Sequence, residues 1–151
     1  VVSERYLSWL RDPEVTRYLE GGGDYTLESL QSYADARKRD SWFFGIYVSG
    51  EYVGNIKAGP LNLRHKRADI GIMIGEKAVW GKGVGTKAIN LISGYCKGHG
   101  LHMLTAGIIE GNIGSMRAFE KAGFVRCGEW KEGRWFEGQW VSEIFYQRVL
   151  S

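Results

Sequence analysis

Cysteine is scarce in this chain, long apolar runs are missing, and charge of one sign is nowhere concentrated. Each shortage narrows what the protein can be. The 151 residues include 2 cysteines, Cys96 and Cys127, with neither metal-ligand spacing nor a Cys-x-x-Cys pair. They read as small core residues rather than as a disulfide, a zinc site or a nucleophile. No stretch approaches the length of a membrane span and no signal-peptide pattern opens the sequence, which leads to the expectation of a cytoplasmic protein without a membrane partner. The formal net charge is +3, and basic residues are scattered apart from Arg37-Lys38-Arg39 and Arg64-His65-Lys66-Arg67. Solvated surface charge is the reading for both clusters, with no nucleic-acid partner expected. His65, His99 and His102 lack catalytic spacing, and no metal is expected. There is no internal repeat, low-complexity tract or linker, and the length suits one domain spanning 1–151.

What the chain does have is glycine, 22 residues in all, and three of them alternate in Val79-Trp80-Gly81-Lys82-Gly83-Val84-Gly85-Thr86-Lys87. Before this segment, Asp69-Ile70-Gly71-Ile72-Met73-Ile74-Gly75 is short, β-branched and glycine-bounded, as in a buried strand. After it, Val84, Ala88, Leu91, Ile92, Tyr95 and Cys96 fall on one helical face, with Gly98 and Gly100 as a stop. A strand, a glycine loop and a helix N-terminus together make an anion site, most naturally for a pyrophosphate. A Walker loop is excluded because Gly81-Lys82 is followed by Gly83 rather than Ser or Thr. A dinucleotide fingerprint survives loosely as Gly83-Val84-Gly85-Thr86-Lys87-Ala88, with Glu110 as a distant ribose acid.

A second segment decides between ligands: Glu110-Gly111-Asn112-Ile113-Gly114-Ser115-Met116-Arg117-Ala118-Phe119-Glu120-Lys121-Ala122-Gly123-Phe124. The two segments together resemble the GNAT family of acyl-CoA-dependent N-acetyltransferases, in its RimJ/RimL-type branch, from about Trp9 to Leu150. The first segment resembles the acetyl-CoA pyrophosphate loop and the second the helix beside the pantetheine arm. The resemblance implies an α+β, three-layer fold. Its sheet is mixed, mostly antiparallel and splayed between strands at about 70–75 and 102–110, with helices on both faces and acetyl-CoA in the split. It also implies a strand ahead of the first helix, so the sequence is expected to lack the first N-terminal strand.

Along the chain, helical pattern begins at Ser3 to Leu10, and Asp12-Pro13 reads as an N-cap and first helical residue of a short helix through Leu19. Gly21-Gly22-Gly23 breaks it and marks either a mobile lid over the acceptor side or a plain connector. Thr26 caps a helix with Leu27, Leu30, Tyr33 and Ala34 on one face. Hairpins are expected at Trp42–Val48 with Glu51–Ala58 around Ser49-Gly50, and at 124–135 with 139–149 around Glu137-Gly138. Leu101–Glu110 is expected as a strand parallel to the central one. Most of the 6 tryptophans and 8 tyrosines are expected to pack the core and the strand faces.

The implied reaction is direct attack of a neutral primary amine on the acetyl thioester in a ternary complex. The implied cofactor contacts are Met73 and Ile74, by backbone pairing, then Trp80, Gly81, Lys82, Gly83, Val84, Gly85 and Thr86 around the pyrophosphate. Asn112, Ser115, Phe119 and Lys121 follow from the second motif. Asp69 and Glu110 are the candidate bases, with Glu143 a third. Many family members use a tyrosine as acid seven residues after the motif asparagine; here that residue is Phe119, and Ser115 takes the role by resemblance. Trp80 stands where much of the family has Gln or Arg, and Ser142 where relatives commonly have Asp. Leu7-Ser8-Trp9-Leu10-Arg11-Asp12-Pro13-Glu14-Val15 and Phe44-Gly45-Ile46 resemble relatives that acetylate nucleotide-linked amino sugars. That small-molecule class ranks first, ahead of polyamines, aminoglycosides and protein N-termini. A non-catalytic acetyl-CoA sensor is the competing class, and the assembly expected is a monomer or homodimer.

Overall fold

The computed structural model describes residues 2–19 and 24–150, so the triple glycine lies outside the described residues. Three helices come first: α1 (Glu4–Leu10), α2 (Pro13–Thr16) and α3 (Leu27–Arg37). Each starts as its side chains dictate. Ser3 accepts from Tyr6 N–H, Asp12 accepts from Glu14 N–H ahead of Pro13, and Thr26 and Ser29 cap each other's backbone. α2 stops at Thr16 rather than running to Leu19; Leu19 N–H closes a turn onto Thr16 O at 2.9 Å, and Arg17 and Tyr18 between them reach Glu137 and Phe136.

The strands are β1 (Trp42–Val48), β2 (Glu51–Ala58), β3 (Arg67–Ile74), β4 (Met103–Ile109), β5 (Val125–Phe136) and β6 (Gln139–Val149). They form one mixed sheet in the order β1-β2-β3-β4-β6-β5, in which only β3 and β4 run parallel. Both expected hairpins turn through left-handed pairs, Ser49 at φ 51 with Gly50 at 81, and Glu137 at φ 47 with Gly138 at 81. This geometry matches strand twist and fixes the register. Between β3 and β4 lies α4 (Val84–Gly98); between β4 and β5 lies α5 (Ile113–Lys121). α5 ends in a Schellman motif, with Phe124 N–H on Phe119 O and Gly123 N–H on Glu120 O, both at 3.0 Å.

Helices cover both faces. α4 and α5 close the main core on one side, where Ile70, Ala88, Ile92, Leu104, Phe119 and Tyr146 pack. α1, α2 and α3 close a smaller core on the other, with Tyr6, Leu7, Trp9 and Leu30 against Phe43, Tyr52 and Met73. The phase of α4 differs from the expected face: Leu91 is 77% exposed, while Ile89 and Ser93 are buried beside Ala88, Ile92 and Cys96. The aromatic residues divide between core and surface. Tyr146 is fully buried, whereas Trp130, Trp135 and Trp140 stand 61%, 64% and 59% exposed on the hairpin of edge strand β5. Cys96 is a core residue as expected, its thiol pushed up to about 11 by burial. Cys127 is not: it lies exposed where the β5 register slips between Arg126 and Gly128.

One glycine is demanded by packing. A Cβ on Gly75 would lie 1.9 Å from Trp9 Cδ2, so α1 seats its indole directly on the backbone at the end of β3. Gly75→Ala is expected to cost about 1–3 kcal/mol by overpacking, read as a lower urea midpoint. An unchanged midpoint would show that α1 is free to shift.

Candidate active site

Parallel pairing of β3 with β4 lasts for three residue pairs, Arg67–Met103, Ala68–Leu104 and Asp69–Thr105, and then the strands part. On its other edge β3 stays zipped to β2 from Ile70 to Ile74. Gly59 N–H donates to Asp69 O and Gly75 N–H to Val53 O, both at 2.8 Å. By the two-residue period of a strand, 69, 71, 73 and 75 turn their backbone polar groups to β2, and 70, 72 and 74 turn theirs into the split. Met73 therefore has its amide and carbonyl committed to the ladder, which corrects the expected backbone role for it. Ile74, with Ile72, faces the opening. The Ile74 carbonyl accepts from the Trp80 indole Nε1 at 2.9 Å, so Trp80 folds back on the strand that precedes it.

The glycine loop lies at the mouth of this split. A 3-10 turn over Lys77–Val79 leads to Gly81 at φ 75 and Gly83 at φ 77, conformations that only glycine adopts without strain. Nothing lies within 4 Å of where a Cβ would stand on either. Gly83 is the N-cap of α4 and offers no side-chain cap. Lys87 N–H on Gly83 O, at 3.1 Å, closes the first helical turn. The amides of Val84, Gly85 and Thr86 are thus left without intrahelical partners. Gly85 sits close to both Ile72 and Ala118, at 4.0 and 3.7 Å from a built Cβ, so the helix end is held between β3 and α5. Lys82 and Lys87 are exposed around it.

The other motif residues divide. Asn112 is the N-cap of α5 and its Oδ1 accepts from Ser115 N–H at 3.4 Å. Ser115 is half-buried, with its hydroxyl unengaged among the described residues. Lys121 is exposed in the last turn of α5. Phe119 is 2% exposed and packs edge-on against Phe124 with centroids 5.0 Å apart, so it is a core residue and not a wall of the open split.

On the face under α1–α3, Asp69 marks the apex of the split, its Oδ1 accepting from Thr105 Oγ1 at 2.9 Å. Desolvation by its surroundings raises its pKa above the ordinary carboxylate range, with Thr105 and Lys57 pulling down and Glu143 pushing up. Glu143 is buried across β4 against Gly107, where a Cβ would stand 2.5 Å from Glu143 Oε2, and it pairs with Arg134 at 3.4 Å. Glu110 has a different job. Its Oε2 accepts from Ser142 N–H at 3.1 Å and its own amide donates to Ser142 O at 2.9 Å, closing the end of the β4–β6 ladder. That engagement argues against Glu110 as the base and leaves Asp69 as the acid at the split.

Two cavities lie along β3, one at Asp69 and the other from Gly71 to Met73. One is an open cleft of about 600 Å3 lined by Pro60, Asn62, Arg64, Arg67 and Thr105 with Asp69 itself. The other, about 180 Å3, lies under α1 and α3 and is lined by Tyr6, Tyr25, Tyr33, Phe43, Asn55 and Lys57 among others. The sequence reading missed this second cavity entirely.

An Acetyltransferase (GNAT) domain model matches residues 3–125. The chain belongs to the GNAT acetyltransferase family. It is 32% identical over 117 residues to the probable N-acetyltransferase YjcK of Bacillus subtilis, covering 69% of this chain and 62% of that protein. It is 36% identical over 80 residues to the uncharacterized protein MJ1062 of Methanocaldococcus jannaschii, covering 53% of this chain and 16% of that one. The chain thus spans less than two thirds of either relative. Among solved structures, the spermidine N-acetyltransferase of Vibrio cholerae in complex with CoA and spermine superposes with a TM-score of 0.86 at 17% identity, covering 97% of this chain and 89% of that one. At that identity the GNAT fold is what is shared.

The raised pKa of Asp69 makes a stability prediction. The favourable linkage is complete below the unfolded value of about 3.9 and is lost as pH rises through the higher folded value, so at pH 7 the ionised group is a cost. Relative to the parent, Asp69→Asn is expected to gain in thermal midpoint as pH goes from 3 to 7. A variant that loses ground over that range would contradict the raised pKa.

Proposed function

We propose that the chain transfers an acetyl group from acetyl-CoA to a primary amine by direct attack in a ternary complex, in the manner of the RimJ/RimL branch. The observation that carries the reading is the β3–β4 split, with unpartnered α4 amides at its mouth and a carboxylate at its apex. The residues fit the co-substrate. Gly81 and Gly83 leave open space for a pyrophosphate, and the amides of Val84, Gly85 and Thr86 point where an anion gains from the helix end, with Lys82 and Lys87 adding charge. Ile72 and Ile74 offer strand-like backbone groups to the pantetheine arm, and Asn112 and Lys121 flank it by the family pattern. When bound, acetyl-CoA supplies an activated acetyl thioester.

The chain's part is to orient and to move protons. Asp69 takes the proton of the incoming ammonium, directly or through water, and its raised pKa brings it nearer the working pH of a base. The unengaged Ser115 hydroxyl donates toward the departing sulfur in place of the tyrosine that Phe119 replaces. The acceptor class is a small oxygen-rich amine such as a nucleotide-linked amino sugar, with polyamines, aminoglycosides and protein N-termini behind it. Loss of the tyrosine favours one rival, a sensor that binds acetyl-CoA without turnover.

Thermal unfolding with acetyl-CoA, with NAD and with neither tests the core of the reading. Saturation at about 100 times the dissociation constant stabilises by about 2.7 kcal/mol, roughly 5–10 °C in midpoint at this size. Acetyl-CoA alone is expected to give that shift; a shift with NAD only would replace the reading by a dinucleotide site. Thiol release over an amine panel then separates enzyme from sensor. Asp69→Asn is expected to keep the acetyl-CoA shift while turnover falls about 100-fold or more; full turnover in that variant would remove Asp69 as the base.

A further inference from the structure

The cavity under α1 and α3 carries information about the acceptor that the family pattern does not. Asn55 is 4% exposed on the acceptor face of β2. Its Oδ1 accepts from the Tyr52 hydroxyl at 2.5 Å, whereas its Nδ2, with the Tyr6 phenol beside it, makes no hydrogen bond of good geometry. A buried amide N–H without a well-placed acceptor is a standing cost, and because Asn55 lines the cavity, an oxygen entering the cavity would relieve it. Next on the same face is Lys57, which makes no ion pair among the described residues. Its side chain runs over Gly71, 3.8 Å from a built Cβ, toward Asp69. The rest of the lining is Tyr6, Tyr25, Tyr33 and Phe43 with aliphatic residues, and no carboxylate lines it among the described residues. Burial raises the pKa of Tyr6, to about 12, and of Tyr33, so both phenols stay neutral donors.

Aromatic faces alone also attract ammonium groups. Here an ammonium is already built in at Lys57, and the one orphaned group is a donor. Both features repel a second cation and call for oxygen lone pairs. We infer that this cavity is the subsite for the non-reacting part of the acceptor, and that it takes a ring bearing a hydrogen-bond-accepting, neutral or anionic oxygen group and turns away polycations. The inference rests on the acetyltransferase reading and narrows it. The reacting amine lies at Asp69, two residues along β3 from Gly71, and the ring lies against the tyrosines with its oxygen on Asn55 Nδ2 and Lys57 Nζ. A linear polyamine reaching from Asp69 into the cavity would pass Lys57 with like charge and leave Asn55 unpaired.

The test compares kcat/KM, by thiol release from acetyl-CoA, for glucosamine, glucosamine 6-phosphate and UDP-glucosamine against spermidine, in the parent, Asn55→Asp and Lys57→Glu. The best oxygen-rich amine is expected to exceed spermidine by about tenfold or more in the parent, the loss from one unpaired buried donor being of that order. Each variant should cut the ratio by about tenfold or more, chiefly through KM, with the acetyl-CoA thermal shift intact. Lys57→Glu decides alone if Asn55→Asp does not fold. Preference for spermidine in the parent overturns the inference. So does an unchanged ratio in the folded variants, or acetyl-CoA binding with none of the amines consumed. Absence of any acetyl-CoA shift in the parent brings down the acetyltransferase reading itself, which is a separate and visible failure.

Discussion

The structure depends on a pairing that stops. β3 and β4 run parallel for three residue pairs and then separate, although both continue as strands. A strand can leave its neighbour only if its other edge is secure. β2 supplies this for β3 through five residue pairs, and β6 supplies it for β4 along its whole length. The backbone groups that β3 turns into the split beyond its last pair with β4, those of Ile72 and the amide of Ile74, would be a liability in a dry core. They are tolerable because they face an opening where a peptide-like ligand can complete the ladder. The glycine loop, the bare helix end and Asp69 are all placed by reference to that opening.

Much of this was legible because it is local. Asp12-Pro13, the Thr26 cap, the two left-handed turns and the Gly123-Phe124 stop each act over a handful of residues, and each sits where the side-chain chemistry puts it. The glycine loop was legible for the same reason. What failed needed a partner from elsewhere in the chain. Leu91 belongs to an apolar stripe by spacing, but which stripe of α4 meets the sheet is decided by where Ile72 and Ala118 hold its first turn. Glu110 reads as a free strand-end acid until β6 brings Ser142 beside it. Parity removed Met73 from the split, and parity is fixed only when β2 pairs. The Asn55 cavity draws its walls from α1, α3, β1, β2 and β3, and no window of sequence contains it.

Charge divides along the same seam. Cationic groups gather on the mouth of the split at Lys82 and Lys87, while the acids Asp69 and Glu143 lie beneath α1–α3, where Arg134 and Lys57 attend them. A modest net charge of +3 therefore conceals two environments, one where lysines surround a bare helix end and one where carboxylates and cations stand together, on opposite sides of one sheet.

The α1–α2 segment touches both halves of the sheet. Toward β3 it seats Trp9 on Gly75 and pairs Arg5 with Glu76 and Asp12 with Lys77, at 3.0 and 2.7 Å. Toward β4 and the β5–β6 tip it stacks Tyr18 on Phe136, sets the Tyr18 hydroxyl on Gly111 O at 3.3 Å and pairs Arg17 with Glu137. The first anchorage is a buried indole with two ion pairs; the second is a ring stack with the Arg17 guanidinium over both rings, a long hydrogen bond and an exposed ion pair. The buried anchor lies at the β3 end, where Trp9 closes on Gly75, and the exposed one at the β5–β6 tip, so this short segment ties together the two halves of the sheet that part at the split.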